Sequence, residues 1–402
     1  MLKIISYMEA IMALSLALII IFGLLVNSLF EKIKLPGILG MLFLGVIIGP
    51  HVFNLVSEDI ISISSDLRKI ALIVILLRAG LGIKKETLKK VGTTSLKMSC
   101  IPCIFEGLGI ALAGKYILGI SFAEAGMLGF IIAAVSPAVV VPQMLGFIER
   151  KKGEEKGIPT IILSAASIDD VFAITIFSMF LGLYGGENVN IIGKIMGIPI
   201  SILLGLLIGA LIGIILTKIF KKYHIRDTKK LLIILAIAII FNGTEDLIKN
   251  IVPIASLLGI MTIGFVILDK YPNVANRLSG KFNKLWVFAE IILFVLVGAE
   301  VNIKVLVNSG AVGLLVLIIG LVARSIGVLV SLIGTNLNIK EKVFCVISFL
   351  PKATVQAAMG AVPLAAGVAS GEIILAIAVL AIVITAPLGA LGIKYTGEIW
   401  LK

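Results

Sequence analysis

Long apolar runs separated by short polar segments dominate this chain of 402 residues. A bilayer core of about 30 Å is crossed by roughly 20 helical residues, so runs of this kind have the length of membrane helices. They are continuous rather than alternating, which favours helices over the strands of a membrane barrel. The runs lie at about 10–30, 36–50, 69–83, 98–118, 122–147, 158–183, 191–217, 231–246, 252–268, 285–303, 309–334, 343–367 and 371–393. The pattern predicts an all-α polytopic membrane protein with about 13 transmembrane helices, in which residues 1–402 form one membrane unit.

The composition supports this prediction, since 59% of the residues are hydrophobic and only 14% are charged. A net charge of +12 raises the question of a nucleic-acid partner, but most of the 35 Lys and Arg lie on loops that follow odd-numbered runs. Loops rich in Lys and Arg stay in the cytoplasm. We therefore expect a protein of the cell (plasma) membrane, with its N-terminus outside, its C-terminus cytoplasmic and no nucleic-acid partner.

A few charged side chains lie within the apolar runs, where a charge at the bilayer centre costs at least about 2.5 to 3.5 kcal/mol. Such residues usually face a bundle interior or a water-filled cavity. The basic ones are Arg78, Arg324 and Lys352, and the acidic ones are Glu106, Asp169, Asp170, Glu290 and Glu300. At 1.5 Å per residue, Asp169 lies about 17 Å into its run, and Glu106, Arg324 and Lys352 have comparable depths. These side chains are predicted to converge near the midplane.

Two runs contain prolines that should interrupt their helices. The fifth run reads AAVSPAVVVPQ, with Ser136 and Pro137 at its centre, and the twelfth reads FLPKATVQAAMGAVP, with Pro351 and Lys352. Proline removes a backbone donor and clashes with the preceding turn. A pair of broken helices in matching positions of two halves is typical of a transporter with its binding site at the breaks.

The two halves of the chain resemble each other weakly. LLRAGLGIKK at 76–85 matches VLVGAEVNIKV at 295–305, and these segments end runs that cross the membrane in opposite directions. Residues 10–183 and 231–393 are therefore predicted to be two inverted repeats of six helices, joined by a linker helix at 191–217.

Asp169 and Asp170 are adjacent carboxylates in the middle of the sixth run. Neighbours on a helix project about 100° apart, so one can face a cavity while the other faces a packed neighbour. The pair titrates as a coupled unit. It can hold a proton or a hard monovalent cation, but holding both at the same time is unfavourable. Competition at a site that opens alternately to two faces exchanges protons for cations. The structural alternative is a pair of carboxylates bound by basic partners.

Five motifs along the chain resemble one family. LLRAGLGI, SPAVVVPQ, EKGIPT, SIDDVFAIT and FLPKATVQAAMGAVPL, spread over a match from about residue 35 to 390, are similar to the cation/proton antiporter superfamily of the monovalent cation:proton antiporter 2 type, and to its NHA subgroup of sodium/proton antiporters. The resemblance implies a homodimer in the lipid bilayer, with an elevator-like movement of a core domain. That domain would comprise helices 4–6 (98–183) and 11–13 (309–393), and the remaining helices would form the dimerisation domain.

The resemblance also implies roles for individual residues. Asp170 would be the principal carrier of protons and of transported Na⁺ or Li⁺, with Asp169 beside it, and Glu106 would form an ion pair with Arg324. Many relatives have an Asp where this chain has Ser136 and a Lys where it has Arg324. A guanidinium does not lose its proton in proteins, so Arg324 is excluded as a second proton carrier. We therefore expect exchange of one cation for one proton, unless Asp169 or Lys352 supplies a second proton.

Three other functions use similar residues. A sodium- or proton-coupled solute symporter shares the inverted fold and is the nearest alternative. A channel needs no coupled titration, and an intramembrane aspartyl protease needs two aspartates from different helices, which Asp169 and Asp170 do not provide. We expect a transporter rather than an enzyme, with no cofactor besides the transported Na⁺ or Li⁺ and H⁺.

Overall fold

The computed structural model describes residues 12–33, 37–83, 85–185, 191–248, 254–300 and 310–401, and within these ranges the regular structure is helical. The helices are α1 (Met12–Lys32), α2 (Gly37–Ile48), α3 (Glu58–Ser62), α4 (Ser64–Gly80), α5 (Lys85–Ala113), α6 (Phe122–Ala133), α7 (Pro137–Glu149), α8 (Ile158–Tyr184), α9 (Ile191–Lys222), α10 (Asp227–Ile248), α11 (Ser256–Lys270), α12 (Pro272–Ala299), α13 (Gly310–Ser331), α14 (Ile339–Ser348), α15 (Thr354–Met359), α16 (Val362–Ala365) and α17 (Gly371–Trp400). A π-helical turn (Gly114–Leu118) follows α5.

Each predicted run coincides with one helix or with the parts of a broken helix, two at 122–147 and three at 343–367, which confirms an all-α polytopic membrane protein. In the part of the chain that is described, eight helices are long and apolar enough to cross a bilayer by themselves. The count of about 13 crossings stays a prediction. Lys84, the ends of several runs and residues 301–305 of the second repeat motif, including Lys304, lie outside the described residues.

The two predicted breaks are present, and they lie against each other. α6 ends at Ala133 and α7 begins at Pro137, because the residue before a proline avoids the helical conformation and Ser136 is extended, with φ −83° and ψ 108°. Proline at the first position of α7 loses no helical hydrogen bond. The second break, between α14 and α15, contains Pro351, whose carbonyl oxygen accepts a hydrogen bond of 2.8 Å from Ser136 N.

The helices pack in two groups, which we call the crossing group and the flanking group. The crossing group contains α5, α6, α8, α13, α15 and α17, which share one hydrophobic cluster. The flanking group contains α2, α4, α9, α11 and α12, where α12 packs on α2 and α4, and α11 packs on α4 and α9. Backbones touch inside each group: a Cβ on Gly129 would lie 2.2 Å from Gly107 O, and one on Gly80 would lie 1.9 Å from Met261 O.

At one end of the crossing group, two side chains hold the loop before α17. Glu124 Oε1 accepts hydrogen bonds from Ser370 N at 3.1 Å and from Ser370 Oγ at 2.5 Å. The same carboxylate completes a capping box with Ser121 at the start of α6. Tyr184 OH, at the end of α8, accepts from Ala369 N at 3.1 Å. The start of a broken helix and the end of the next helix thus hold a loop from the other half of the chain.

The opposite end repeats this arrangement with charged groups. Glu341 forms a capping box with Asn338 at the start of α14, and its Oε2 accepts from Lys156 Nζ at 2.8 Å in the loop before α8. Glu398, near the end of α17, forms an ion pair with Lys152 of the same loop. The loops that follow the two broken helices are therefore each held across the two halves of the chain.

Glu341→Ala should destabilise the protein by about 1–2 kcal/mol, because it removes the side-chain half of the capping box of α14 and the ion pair with Lys156. Glu341→Gln should cost less, since an amide oxygen still accepts from Asn338 N. Thermal unfolding of both variants in the same detergent measures the difference. Equal losses would show that the charge of Glu341, and not its capping hydrogen bonds, stabilises this end of the protein.

Candidate ion-binding site at the helix crossing

Three helices and the second break bring the predicted polar residues together. Glu106 lies on α5, Asp169 and Asp170 on α8, Arg324 on α13, and Lys352 in the extended segment before α15. Four of these residues are fully buried, and Asp170 is 5% exposed. Charges at such depth require partners, so the contacts of each one show how the site is held together.

Arg324 lies at the centre of the site. Its Nη1 donates to Glu106 Oε2 at 2.7 Å and also to Ala133 O, while its Nη2 donates to Asp169 Oδ2 at 3.1 Å. The guanidinium also stacks over the ring of Phe349, 5.3 Å from the centroid. One buried cation therefore joins α5, α8 and the first break.

Lys352 is the second buried cation, and it shares a carboxylate with Arg324. Its Nζ donates to Glu106 Oε2 at 2.6 Å, and its backbone N donates to Thr385 Oγ1 at 2.8 Å on α17. Glu106 therefore pairs with two basic residues, where the sequence predicted only Arg324. The depths of Glu106 and Lys352 in their runs were compatible with this second pair, but depth alone does not select a partner.

Asp169 is held by partners on two sides. Its Oδ2 accepts from Val135 N at 2.7 Å, inside the first break, in addition to the bond from Arg324. Backbone N–H groups at a break have no helical partner, and a carboxylate satisfies one of them here. Asp169 thus resembles the structural alternative, a carboxylate bound by a basic partner.

Asp170 is in a different environment, although it is the next residue. Its Oδ1 is buried and has no hydrogen-bond partner among the described residues, and it forms no ion pair with them. Other oxygen atoms near the breaks share this property: Asp169 Oδ1, Ser136 Oγ, Thr354 Oγ1 and Gln356 Oε1. Carboxylate and hydroxyl oxygens are the ligands that hard cations prefer. The site can therefore offer oxygen ligands to a small cation or accept a proton.

The charges of the site do not balance when every group is ionised. Arg324 and Lys352 supply two positive charges, and Glu106, Asp169 and Asp170 supply three negative ones. One proton or one monovalent cation at Asp170 would bring the buried cluster to neutrality, and burial makes an uncompensated charge costly. The site is thus suited to hold one of these species at a time.

Gln356 has a structural role that the sequence did not indicate. Its Nε2 donates to Ile131 O at 2.9 Å and to Ala134 O at 2.9 Å, so it satisfies carbonyl groups at the end of α6. The residue stands within the quoted motif FLPKATVQAAMGAVPL, but only the crossing of the breaks shows which carbonyl groups it reaches.

The remaining membrane charges lie away from the crossing. Arg68 pairs with Glu300 at 2.6 Å, which gives one of the two unassigned glutamates of α12 a partner. Arg78 pairs with Glu149 at 2.9 Å. Glu290 is half-buried and makes neither a hydrogen bond nor an ion pair with the described residues.

Broken helices that cross beside buried charges are typical of secondary ion transporters, in which the break forms the binding site. Residues 16–397 match the sequence profile of the family "Sodium/hydrogen exchanger, transmembrane". The chain belongs to this family.

Several characterised proteins are similar over most of the chain. Human Sodium/hydrogen exchanger 9B2 is 34% identical over 386 residues, which cover 90% of this chain and 69% of the human protein. The protein of the same name from Xenopus tropicalis is 34% identical and covers 94% of this chain and 72% of its own length. Human Sodium/hydrogen exchanger 9B1 is 32% identical, with coverages of 89% and 71%.

The fold also resembles a solved structure. The sodium proton antiporter MjNhaP1 from Methanocaldococcus jannaschii, determined at pH 8, superposes with a TM-score of 0.78 at 23% identity, and the match covers 96% of each chain. At this identity the similarity establishes the fold, and it agrees with the sodium/proton antiporter fold predicted from the motifs.

Glu106→Ala should destabilise the protein by about 3–5 kcal/mol, because it removes the carboxylate that Arg324 and Lys352 share. Combining it with Lys352→Met should recover part of this loss, since the double variant loses one charge of each sign and keeps the pair of Arg324 with Asp169. Thermal unfolding in detergent compares the two variants. A double variant less stable than Glu106→Ala alone would show that Lys352 is not stabilised mainly by Glu106.

Proposed function

We propose that this protein exchanges sodium or lithium ions for protons across the membrane, with the cation and the proton competing for the site of Asp169 and Asp170. One observation carries the proposal: Asp170 presents a buried carboxylate oxygen without a hydrogen-bond partner among the described residues, next to an Asp169 that is already compensated. The names of the relatives, which are sodium/hydrogen exchangers, support the same exchange.

The two carboxylates would have separate tasks. Asp169 stays ionised beside Arg324 and fixes the first break through Val135 N. Asp170 then carries the exchangeable species, because it is the carboxylate whose charge the two basic residues leave uncompensated. Ser136 and Thr354, each with a buried hydroxyl oxygen lacking a partner in the described structure, would complete the ligands of a bound cation.

Alternating access would come from a movement of the crossing group against the flanking group. The proposed core domain comprises 98–183 and 309–393, and the hydrophobic cluster shared by α5, α6, α8, α13, α15 and α17 lies within these ranges. The hydrogen bonds that hold the loops after the two broken helices support the movement of these helices as one body. Residues 10–183 and 231–393 would be the inverted repeats, joined by the linker helix at 191–217.

The assembly and location are part of the proposal. The protein would be a homodimer of the plasma membrane, formed through the dimerisation domain, with its N-terminus outside and its C-terminus in the cytoplasm. The excess of Lys and Arg on alternate loops supports this orientation.

Asp170→Asn should abolish exchange while the protein stays folded, because an amide neither releases a proton nor offers an anionic oxygen. Asp169→Asn should impair exchange less completely, since its amide oxygen can still accept from Val135 N. Proteoliposomes with an internal pH dye and outside pulses of Na⁺, Li⁺ or K⁺ measure the exchange. Normal sodium-dependent proton flux in the Asp170 variant would refute the assigned site, and flux that requires an organic solute would favour a symporter.

Exchange should be electroneutral, with one cation for each proton, because either species brings the buried cluster to the same net charge. A second proton would have to come from Lys352 or Asp169, and both are held by ionic partners. Currents on a solid-supported membrane under a sodium gradient test this at several membrane potentials. Sustained current that reverses with the potential would show that one of these groups also releases a proton.

A further inference from the structure

Arg78 and Glu290 are membrane charges that the ion-binding site does not use. Arg78 lies near the end of α4, with its side chain 11% exposed, and its Nη2 donates to Glu149 Oε1 at 2.9 Å. Its Nε is buried and has no hydrogen-bond partner among the described residues. The partner Glu149 is 55% exposed at the end of α7, so this ion pair joins a buried cation to a solvated carboxylate.

The pair of Arg78 and Glu149 connects two bodies that move relative to each other in the proposed exchange. α4 belongs to the flanking group, whereas α7 is the second half of the first broken helix and lies within the range 98–183. A displacement of the proposed core domain, 98–183 and 309–393, along the membrane normal would carry Glu149 away from Arg78. The guanidinium, which keeps its charge in proteins, would then need another acceptor.

Glu290 lies at the level where that acceptor is required. The contact of Arg68 with Glu300 sets the register between α4 and α12, whose directions are opposite. Arg78 follows Arg68 by ten residues and Glu290 precedes Glu300 by ten, so both lie about 15 Å from the first pair at the same depth. In the described structure no hydrogen bond or ion pair joins Glu290 to Arg78, whose ion pair is made with Glu149. Both residues belong to the flanking group, so the movement would leave their separation unchanged, and the long side chain of Arg78 would reach Glu290 by changing its rotamer.

We propose that Arg78 alternates between Glu149 and Glu290, and that this exchange of partners keeps the two conformations of the transporter close in free energy. In the described conformation Arg78 holds the proposed core domain through Glu149 on α7. In the other conformation it pairs with Glu290 inside the flanking group, so neither conformation leaves the buried guanidinium without an anion. The proposal rests on the proposed function, because it requires the two groups of helices to move.

The test measures the population of the described conformation in nanodiscs. Cys100, Cys103 and Cys345 are replaced by alanine, and spin labels are placed at the exposed positions Lys340 on α14, which packs on α17, and Lys229 on α10, which packs on α12. Mixing labelled with excess unlabelled protein restricts pulsed-dipolar distances to one chain. Sodium-dependent proton flux of the same preparation in proteoliposomes checks exchange, so a failure of the proposed function is recognised separately.

Glu290→Gln should raise the population that has the label separation of the described conformation, because it removes the alternative partner of Arg78. Glu149→Gln should lower it, and each shift should be about fivefold in the population ratio, as for an ion pair with one exposed partner. In an Arg78→Gln background neither change should shift the ratio. Glu300→Gln is the matched control on α12, since its partner Arg68 belongs to the same group, and it should leave the ratio unchanged.

Opposite shifts for Glu290→Gln and Glu149→Gln, both lost without Arg78, would establish the exchange of partners. Shifts in the same direction, an unchanged ratio in Glu290→Gln, or shifts that persist in the Arg78→Gln background would overturn it. If the variants shift in this way but exchange is absent from the parent protein, the switch stands and the proposed function fails.

Discussion

The structure depends on pairing buried charges with backbone groups that the broken helices release. Arg324 would be costly at the centre of a bilayer if it stood alone, and a partnered guanidinium is tolerated there. Its partners include Ala133 O, at the end of α6, while Asp169 binds Val135 N inside the break. An interrupted helix leaves such groups without partners, and buried side-chain charges lack water. The charged side chains therefore bond to the backbone groups that the breaks leave free, and those backbone groups help to compensate the buried charges. The breaks and the charges thus require each other.

This dependence explains why two carboxylates stand side by side on α8. One of them, Asp169, is used by Arg324 and the first break, and its charge is part of the structure. The next residue points elsewhere because neighbours on a helix diverge by about 100°. Asp170 therefore lies close to the same cations without contacting them, and its charge is what remains after the two basic residues are matched. The proposed exchange at Asp170 would use this combination of proximity and incomplete compensation.

The sequence predicted the features of the fold that depend on residues close together in the chain. Run length and continuity predicted the helices, and the prolines predicted both breaks, since a proline acts on its own turn and on the residue before it. Depth along the runs predicted that Glu106, Asp169, Arg324 and Lys352 converge. The partners themselves depend on tertiary structure: Glu106 is shared by Arg324 and Lys352, and Gln356 reaches the end of α6 from across the crossing. The long helix α5 also extends to Lys85, before the run at 98–118, because polar residues continue a helix that leaves the membrane.

The kinds of contact between helices distinguish interfaces that hold from interfaces that can move. Inside the flanking group, Gly80 lies against Met261 O so closely that a methyl group would not fit, and Gly129 meets Gly107 O in the same way inside the crossing group. Backbones in such contact cannot slide past each other without a clash. Between the groups, buried hydrophobic side chains of both pack together, and long side chains connect helices, as in the pair of Lys85 on α5 with Asp269 on α11. A long side chain can change its rotamer or partner while the backbones on either side stay intact. Sliding between the groups would therefore exchange side-chain contacts, both apolar and polar, whereas sliding within a group would require its helices to separate.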